Sequence, residues 1–191
     1  MTPDLSSASH IHDFVSRAKL RSALIFRSFL TRNTANLHRA FITYVRPLLE
    51  YTSPVWSPSH LYLINEIENV QRSFTKRLPG LSTLSYSERL SILNLPTLEY
   101  RRLIADLIIC FNIVHGFSCM NTDSFFTLSR NSSLRGHQFR FRVPLSKSNL
   151  RKFFFAHRVV QVWNSLPASI VAASSTRAFK SLVMKLNLSK F

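Results

Sequence analysis

The chain has 191 residues, 46% of them hydrophobic, which is enough for one domain or one and a half with a substantial core. It carries 25 Lys and Arg against nine Asp and Glu, and the resulting net charge of +16 predicts a polyanionic partner. There are three glycines and neither a G-x-G-x-x-G nor a G-x-x-x-x-G-K-[ST] segment, which excludes nucleotide-binding α/β enzymes of those types.

Helical periodicity dominates the first 116 residues. Apolar residues recur at three and four positions from about residue 9 to 30, and again from residue 34 to 48, which predicts two helices. Pro47 is expected to kink or restart the second helix, because proline lacks a backbone donor and crowds the preceding turn. The segment 53–58, with two prolines, is then expected to break the helix outright.

The next two helices have clear start and stop signals. Apolar residues step by three or four over residues 63–78, and Pro79-Gly80 ends that helix. Its acids come early and its bases late, an order that suits the helix dipole and equally suits a basic end facing phosphate, so both interpretations stay open. Ser85 and Glu88 form a predicted capping box for a short helix that ends at residue 93.

A longer helix is predicted within residues 96–116. Arg102 follows Glu99 by three positions and precedes Asp106 by four, a spacing that predicts a salt network on the helix surface. Arg101 has no acid three or four positions after it and is therefore expected to be the freer cation.

The pattern changes after residue 120. Residues 139–143 alternate phenylalanine and arginine, which predicts a strand with its two residue types on opposite faces. Residues 149–167 are basic, aromatic and apolar without a clean period, and their apolar side chains are expected to be largely buried. Ser175 or Thr176 is expected to cap a last amphipathic helix. The sequence therefore predicts a mainly α fold, a helical bundle followed by a smaller basic α+β segment.

The charge is unevenly distributed along the chain. Residues 1–123 hold 13 bases and all nine acids, whereas residues 124–191 hold 12 bases, no acid and nine of the 16 phenylalanines. A tail that served only solubility would not need those aromatic residues, so this last third is the predicted contact surface for nucleic acid. We expect three regions: 1–33, a linker and first helix; 34–120, the helical bundle; and 121–191, the basic aromatic segment.

Catalytic and metal-binding patterns are missing from the sequence. It has no Asp-Asp pair, no H-E-x-x-H and no G-x-S-x-G, so we expect no active site, no cofactor and no small-molecule substrate. Cys110 and Cys119 lack zinc-site spacing and cannot form a disulfide framework, and both are expected to be reduced packing residues. No signal peptide or apolar run of about 18 residues is evident, which predicts an intracellular protein away from membranes, with cytoplasm and nucleus both open.

Several short segments resemble, as an ordered set over roughly residues 3–186, the C-terminal region of non-LTR (LINE-type, jockey-like) retrotransposon reverse transcriptases. No single segment is specific, and the resemblance depends on their order. The matching segments are 44–51 (YVRPLLEY), 55–58 (VWSP), 68–76 (E-x-V-Q-R-x-x-T-K), 86–90 (Y-x-E-R-L), 101–102 (RR), 106–107 (DL), 134–137 (LRGH), 158–160 (RVV), 163–167 (WNSLP) and 179–180 (FK).

The resemblance implies a binding role without catalysis. In that family the polymerase palm, with its metal-binding aspartates, and the endonuclease lie upstream of this region, so no polymerase activity is expected of this chain alone. The implied role is a thumb-like bundle that grips RNA or an RNA/DNA hybrid, with a separate reverse transcriptase palm as a further partner. The matched positions give as contact candidates Arg72, Lys76, Arg101, Arg102, Arg135 and Arg158.

Three further contact candidates come from the residue pattern. Arg77 lies at the basic end of helix 63–78, and Arg140 and Arg142 lie in the alternating segment. The motif residues Trp56 and Trp163 are instead expected in the core, because aromatic side chains near helix breakers usually pack.

Other interpretations are open. The chain could be a truncated element copy without selected activity, or a helical protein-interaction module. A DNA-binding helix-turn-helix is disfavoured, because no pair of predicted helices is joined by the three- to four-residue turn of that motif.

Overall fold

A computed structural model describes residues 7–129 and 137–186. The described residues are mainly α-helical and contain no strand, which confirms the mainly α prediction. The chain divides into two compact units, Met1–Arg102 and Leu103–Phe191, named here the N-terminal unit and the C-terminal unit. The predicted region boundaries at 33/34 and 120/121 stay predictions.

The N-terminal unit is a helical bundle built around its first and fifth helices. A π-helical turn, Phe41–Val45, joins the second helix to the third, and the seventh helix begins in this unit. The helices are α1 (Ala8–Ser28), α2 (Thr34–Ala40), α3 (Arg46–Glu50), α4 (Ser53–Trp56), α5 (Leu61–Lys76), α6 (Tyr86–Leu93) and α7 (Leu98–Val114).

The core of this unit follows the helical period in the sequence. The buried residues of α1 and α5 recur at three and four positions, so each helix presents one apolar face to the bundle. Phe74 of α5 packs its ring against those of Phe26 and Phe41, at centroid distances of 4.8 and 4.6 Å. The apolar face of α5, predicted from residues 63–78, therefore lies at the centre of the core.

Proline shapes the chain at two neighbouring places. Pro47 restarts the helix as predicted, since α3 begins at Arg46 directly after the π-helical turn, whose wider spacing accommodates a proline in the next turn. The prediction that residues 53–58 break the helix outright was wrong for the first four of them, which form α4. Pro54 lies in the first turn of α4, where its missing N–H is not needed for helical bonding.

The caps predicted at Ser85 and Ser175 are confirmed. Ser85 Oγ accepts the Glu88 N–H at 3.4 Å, and Glu88 Oε2 accepts the Ser85 N–H at 2.8 Å, which completes the capping box of α6. Ser175 Oγ accepts the Ala178 N–H at 3.2 Å and caps the last helix. Gly116, after α7, takes a left-handed φ of +69°, as expected of a helix-ending glycine.

The described residues of the C-terminal unit form the end of α7, four shorter helices and a one-turn 3-10 helix, Thr122–Ser124. Its described core includes the fully buried rings of Phe111, Trp163 and Phe179, and the Phe111 and Phe179 rings stack at 4.2 Å. The four helices are α8 (Asn149–Phe153), α9 (Phe155–Ser165), α10 (Ala168–Val171) and α11 (Thr176–Val183).

Residues 149–167, which lack a clean period in the sequence, form two helices rather than one. Phe154 is extended (φ −61°, ψ 146°) and ends α8 before α9 begins. The expectation that their apolar side chains are largely buried was only partly correct, because Phe155 is buried whereas Phe153 and Phe154 are exposed. Because of the break at Phe154, the apolar positions of α9 do not continue the helical period of α8. One helical period fitted to residues 149–167 therefore does not show the buried face of α9.

The strand predicted over residues 139–143 is reduced to one antiparallel bridge, between Leu128 and Phe141. On the other side of Phe141, its backbone N–H and C=O both bond to the side-chain amide of Asn164, at 2.9 and 2.8 Å. An amide side chain therefore takes the place of a neighbouring strand on that side of Phe141. The α+β character predicted for this segment is therefore not supported in the described residues.

Trp163 of α9 contacts residues 137–141, which lie before α8. Its Nε1–H donates to the Phe139 carbonyl at 2.8 Å, and its own carbonyl bonds to His137 Nε2 at 3.0 Å. Its ring stacks with that of Phe141 at 5.8 Å. Trp163 is fully buried and Trp56 is 4% exposed, which confirms the core role predicted for both tryptophans.

His137 makes the C-terminal unit sensitive to acid. Its ring is buried, its Nε2 bonds to a carbonyl and is therefore the protonated nitrogen, and its buried Nδ1 has no partner in the part of the chain that the structure describes. Desolvation by burial lowers the pKa of His137, with the positive charge of Arg140 acting in the same direction and the bond to Trp163 opposing it.

Lowering the pH from about 7.5 to about 5.5 is expected to reduce the free energy of unfolding of the C-terminal unit. The unfolded imidazole, with a pKa near 6.5, takes up a proton that the folded imidazole resists, so the contribution of His137 is complete above about pH 6.5 and falls as the pH approaches its folded pKa. Denaturant unfolding at both pH values measures the effect. His137→Gln keeps a donor but does not titrate, and an unchanged pH dependence in that variant would assign the effect to other groups.

Candidate nucleic-acid interface

The basic end of α5 is accessible. Arg72 and Lys76 lie on α5 and Arg77 is its C-terminal cap, and all three side chains are exposed. Arg72 donates to Asn69 Oδ1 at 3.1 Å, and its guanidinium carbon lies 5.0 Å from the centre of the Tyr86 ring. These three predicted candidates therefore share one end of one helix, within reach of solvent.

The acids at the start of α5 have partners of their own. Glu66 accepts from His12 of α1 at 2.9 Å, and the buried Glu68 accepts the backbone N–H of Leu98, the first residue of α7, at 2.9 Å. Glu68 also accepts the hydroxyl of Tyr86, and burial together with this carboxylate raises the pKa of Tyr86. The acids thus hold neighbouring elements in place and do not pair with the basic end of the helix.

The structure places Arg101 and Arg102 away from open solvent. Arg101 pairs with Glu50 of α3 through both carboxylate oxygens, with Nη2 at 2.8 Å from Oε2, so the prediction that it is the freer cation was wrong. Glu50, the acid that pairs with Arg101, lies on another helix, so residue spacing within α7 could not predict this ion pair. Arg102 is 4% exposed, so its side chain does not lie on the helix surface, where the salt network was predicted.

Arg158 of α9 is also occupied within the protein. Its Nε and Nη2 donate to the two carboxylate oxygens of Asp106, at 2.8 and 2.9 Å, and its Nη1 donates to the Phe153 carbonyl at 3.0 Å. The Asp106 side chain is only 5% exposed. This geometry is a bidentate ion pair that ties α9 to α7, and it directs the guanidinium into the protein.

The remaining predicted contacts lie before α8. Arg142 is exposed, Arg140 is half-buried, and Arg135 lies outside the described residues. The Leu128–Phe141 bridge holds this stretch of backbone in place, with the Arg142 N–H donating to the Thr127 carbonyl at 2.8 Å.

The C-terminal unit has further exposed bases that the sequence did not single out as contact residues. The absence of acids identifies residues 124–191 as the contact region, but it does not show which bases in that region are exposed. Helical spacing in the last helix could have identified one pair, since Arg177 and Lys180 are three positions apart on α11. The exposed bases beyond the predicted ones are Lys147, Arg151, Lys152, Arg177, Lys180 and Lys185.

One base of the N-terminal unit was also missed. Arg32 lies between α1 and α2, with its guanidinium carbon 5.8 Å from the centre of the Phe26 ring, and Arg77 lies over the same ring at 4.0 Å. Arg32 is outside any helical pattern, so the sequence carries no signal that brings it to α5.

The described ranges contain no candidate metal site, and the packing role predicted for both cysteines was wrong for Cys119, which is exposed. No group of three or more His, Cys, Asp or Glu side chains within residues 7–129 and 137–186 could hold a metal ion. Cys110 is buried, and desolvation raises the pKa of its thiol, as does the charge of Asp106, so it acts as a packing residue. None of the helices described has the length and apolar character needed to cross a membrane.

Comparison with known proteins gives one weak similarity. No protein-family model and no solved structure matches the chain. An uncharacterized protein of Caenorhabditis elegans is 27% identical over 115 residues, which cover 59% of this chain. The match spans 58% of the length of that protein.

Proposed function

We propose that this chain binds RNA or an RNA/DNA hybrid through the phosphate backbone, without sequence specificity and without catalysis of its own. The proposal includes the thumb-like role suggested by the resemblance to non-LTR reverse transcriptases, with a separate palm as partner. The observation that carries it is the nearly unopposed positive surface of the C-terminal unit.

The C-terminal unit has only two acids, Asp106 and Asp123. Asp106 is buried and neutralises Arg158, so Asp123 is the one exposed acid of the unit. The bases that are exposed there form no ion pair within the described residues. These bases are Arg142, Lys147, Arg151, Lys152, Arg177, Lys180 and Lys185.

Such a surface suits a phosphate backbone. Lysine and arginine side chains release condensed counterions when they neutralise phosphates, and this entropy gain needs no particular base sequence. The exposed bases lie between the bridge and α8, on α8, on α11 and just after α11. Because they are spread over several elements, they suit an extended polyanion better than one small anion. We therefore assign affinity to these exposed bases, and a structural role to Arg101, Arg102 and Arg158.

A second candidate function is a helical protein-interaction module. Leu20 and Leu24, four positions apart on α1, are 65% and 56% exposed and so lie on one face of that helix. An apolar helix face in solvent favours a protein partner. The palm in the first proposal would be one such partner, whereas aggregation of the purified chain would favour a relic whose partner has been lost.

The salt dependence of RNA binding tests the proposed function. Binding to a structured RNA is expected to weaken linearly on a log-log plot, each phosphate contact adding about 0.7 to 0.9 to the slope. Replacing Arg142, Arg151 and Lys180 with glutamine is expected to lower the slope by about 2. Fluorescence anisotropy over a salt series measures both.

The matched control replaces three exposed bases of the N-terminal unit, Lys19, Arg27 and Arg39, with glutamine and removes the same charge. We expect it to lower the slope less than the C-terminal triple. No RNA binding by the wild-type chain at low salt would reject the proposed function, and equal slopes in the two variants would reject its assignment to the C-terminal unit.

A further inference from the structure

We propose that Arg32 and Arg77, which share the ring of Phe26, form a phosphate-binding clamp on the N-terminal unit for the backbone of a bound nucleic-acid strand. The proposal rests on the proposed function and adds to it a second, separate contact. The clamp is defined by these three residues.

The clamp is built on a rigid platform. The guanidinium carbons of Arg77 and Arg32 lie 4.0 and 5.8 Å from the centre of the Phe26 ring. Both arginines are exposed, whereas Phe26 itself is buried. The Phe26 ring packs on that of Phe74, which packs in turn on Phe41, so the platform belongs to the aromatic core and cannot turn away.

Two chain segments are fastened together beside this platform. Thr34, the first residue of α2, donates its hydroxyl to the Pro79 carbonyl at 3.4 Å. Asn33 caps α2 by accepting the Asn36 N–H at 3.1 Å. These contacts join the chain just after Arg32 to the chain just after Arg77, and each guanidinium carbon lies within 6 Å of the centre of the same Phe26 ring.

The donors of the clamp are unused. Neither the Arg32 nor the Arg77 guanidinium has a hydrogen-bond or carboxylate partner anywhere in residues 7–129 and 137–186. A cation–π contact uses no N–H hydrogen bond, so the five N–H donors of each guanidinium remain available, and their planar fork matches phosphate oxygens in bidentate geometry.

Four acids among the described residues of the N-terminal unit have partners away from the clamp. Asp13 pairs with Arg17, and Glu50, Glu66 and Glu68 bond to Arg101, His12 and the Leu98 N–H respectively. Two like charges on one ring repel each other, and the ring quadrupole offsets only part of that repulsion. An anion that contacts both guanidinium groups would remove this repulsion. A backbone phosphate of a nucleic acid is such an anion, and the nucleic acid is already attracted to the protein by its charge.

The test compares two charge-matched double variants of the full chain. Arg32→Gln with Arg77→Gln removes the clamp, and Lys19→Gln with Arg39→Gln removes two exposed bases of the same unit. Anisotropy titrations with one structured RNA over a salt series are expected to show a slope lower by about 1.5 for the clamp variant and by less than half of that for the control. Thermal midpoints of both variants verify that they are folded.

A third variant separates geometry from charge. Arg32→Lys with Arg77→Lys keeps both charges but loses the planar edge, so we expect a slope close to that of the wild-type chain with several-fold weaker binding. Equal slopes for the glutamine clamp variant and its control would overturn the clamp alone, while the wild-type chain still binds. Absence of wild-type binding at low salt would overturn the clamp together with the proposed function.

Discussion

Replacing Trp163 with alanine is expected to destabilise the C-terminal unit by about 3 to 5 kcal/mol, the range for truncating a large buried aromatic side chain. The residue is fully buried and its Nε1–H donates to the Phe139 carbonyl, so the variant loses ring packing and leaves that carbonyl without its donor. A loss of this size is a large share of the stability of a small domain. We expect the unit to be largely unfolded at physiological temperature.

Hydrogen exchange measures this effect along the chain. Amides of α9 and of residues 137–142 should lose protection together, because Trp163 holds both. Gln161→Ala is the matched control, since it changes an exposed residue of the same helix and should shift stability by no more than about 0.5 kcal/mol. Retained protection in the Trp163→Ala variant would show that the segment is held by other contacts.

The second large effect is expected from Arg158→Gln. The change leaves the Asp106 carboxylate, 5% exposed, without its bidentate partner, and removing one member of a buried pair is typically destabilising by about 3 to 5 kcal/mol. Denaturant unfolding is the measurement. The double variant Asp106→Asn with Arg158→Gln removes both charges of the pair and should recover part of the loss.

Arg158→Gln also distinguishes structure from binding. If Arg158 is held by Asp106 as described, the salt slope of RNA binding at a temperature where the variant is folded should equal that of the wild-type chain. Arg151→Gln, an exposed base on α8, is the comparison, and it should lower the slope without a comparable loss of stability. A flatter slope for Arg158→Gln would return this residue to the set of phosphate contacts.

The sequence predicted those parts of the fold that local signals determine. The apolar step along α5, the Ser85 capping box and the Ser175 cap depend on spacings of three or four residues within one element, and all three agree with the structure. The break at Phe154 was missed, because a single extended residue shifts the helical phase without any proline or glycine to mark it.

The candidate interface was harder to predict, because charge pairing depends on tertiary contacts. Glu50 lies 51 residues before Arg101, and Asp106 lies 52 residues before Arg158, so no helical spacing could show that either arginine is neutralised. The same limit hid the convergence of Arg32 and Arg77 on Phe26, because Arg77 lies 51 residues after Phe26 and the end of α5 meets the start of α2 only in the folded bundle. Composition alone identified the basic C-terminal region, since acids are absent after Asp123.

The two buried tryptophans have a practical consequence for folding experiments. The chain has only two, and one lies in each unit, Trp56 in the N-terminal unit and Trp163 in the C-terminal unit. With excitation at a wavelength that tyrosine does not absorb, a Trp56→Phe chain therefore emits only from the C-terminal unit and a Trp163→Phe chain only from the N-terminal unit. Recorded over the same denaturant series, the tryptophan fluorescence of each variant reports the unfolding transition of one unit. The difference between the two midpoints measures how cooperatively the two units unfold.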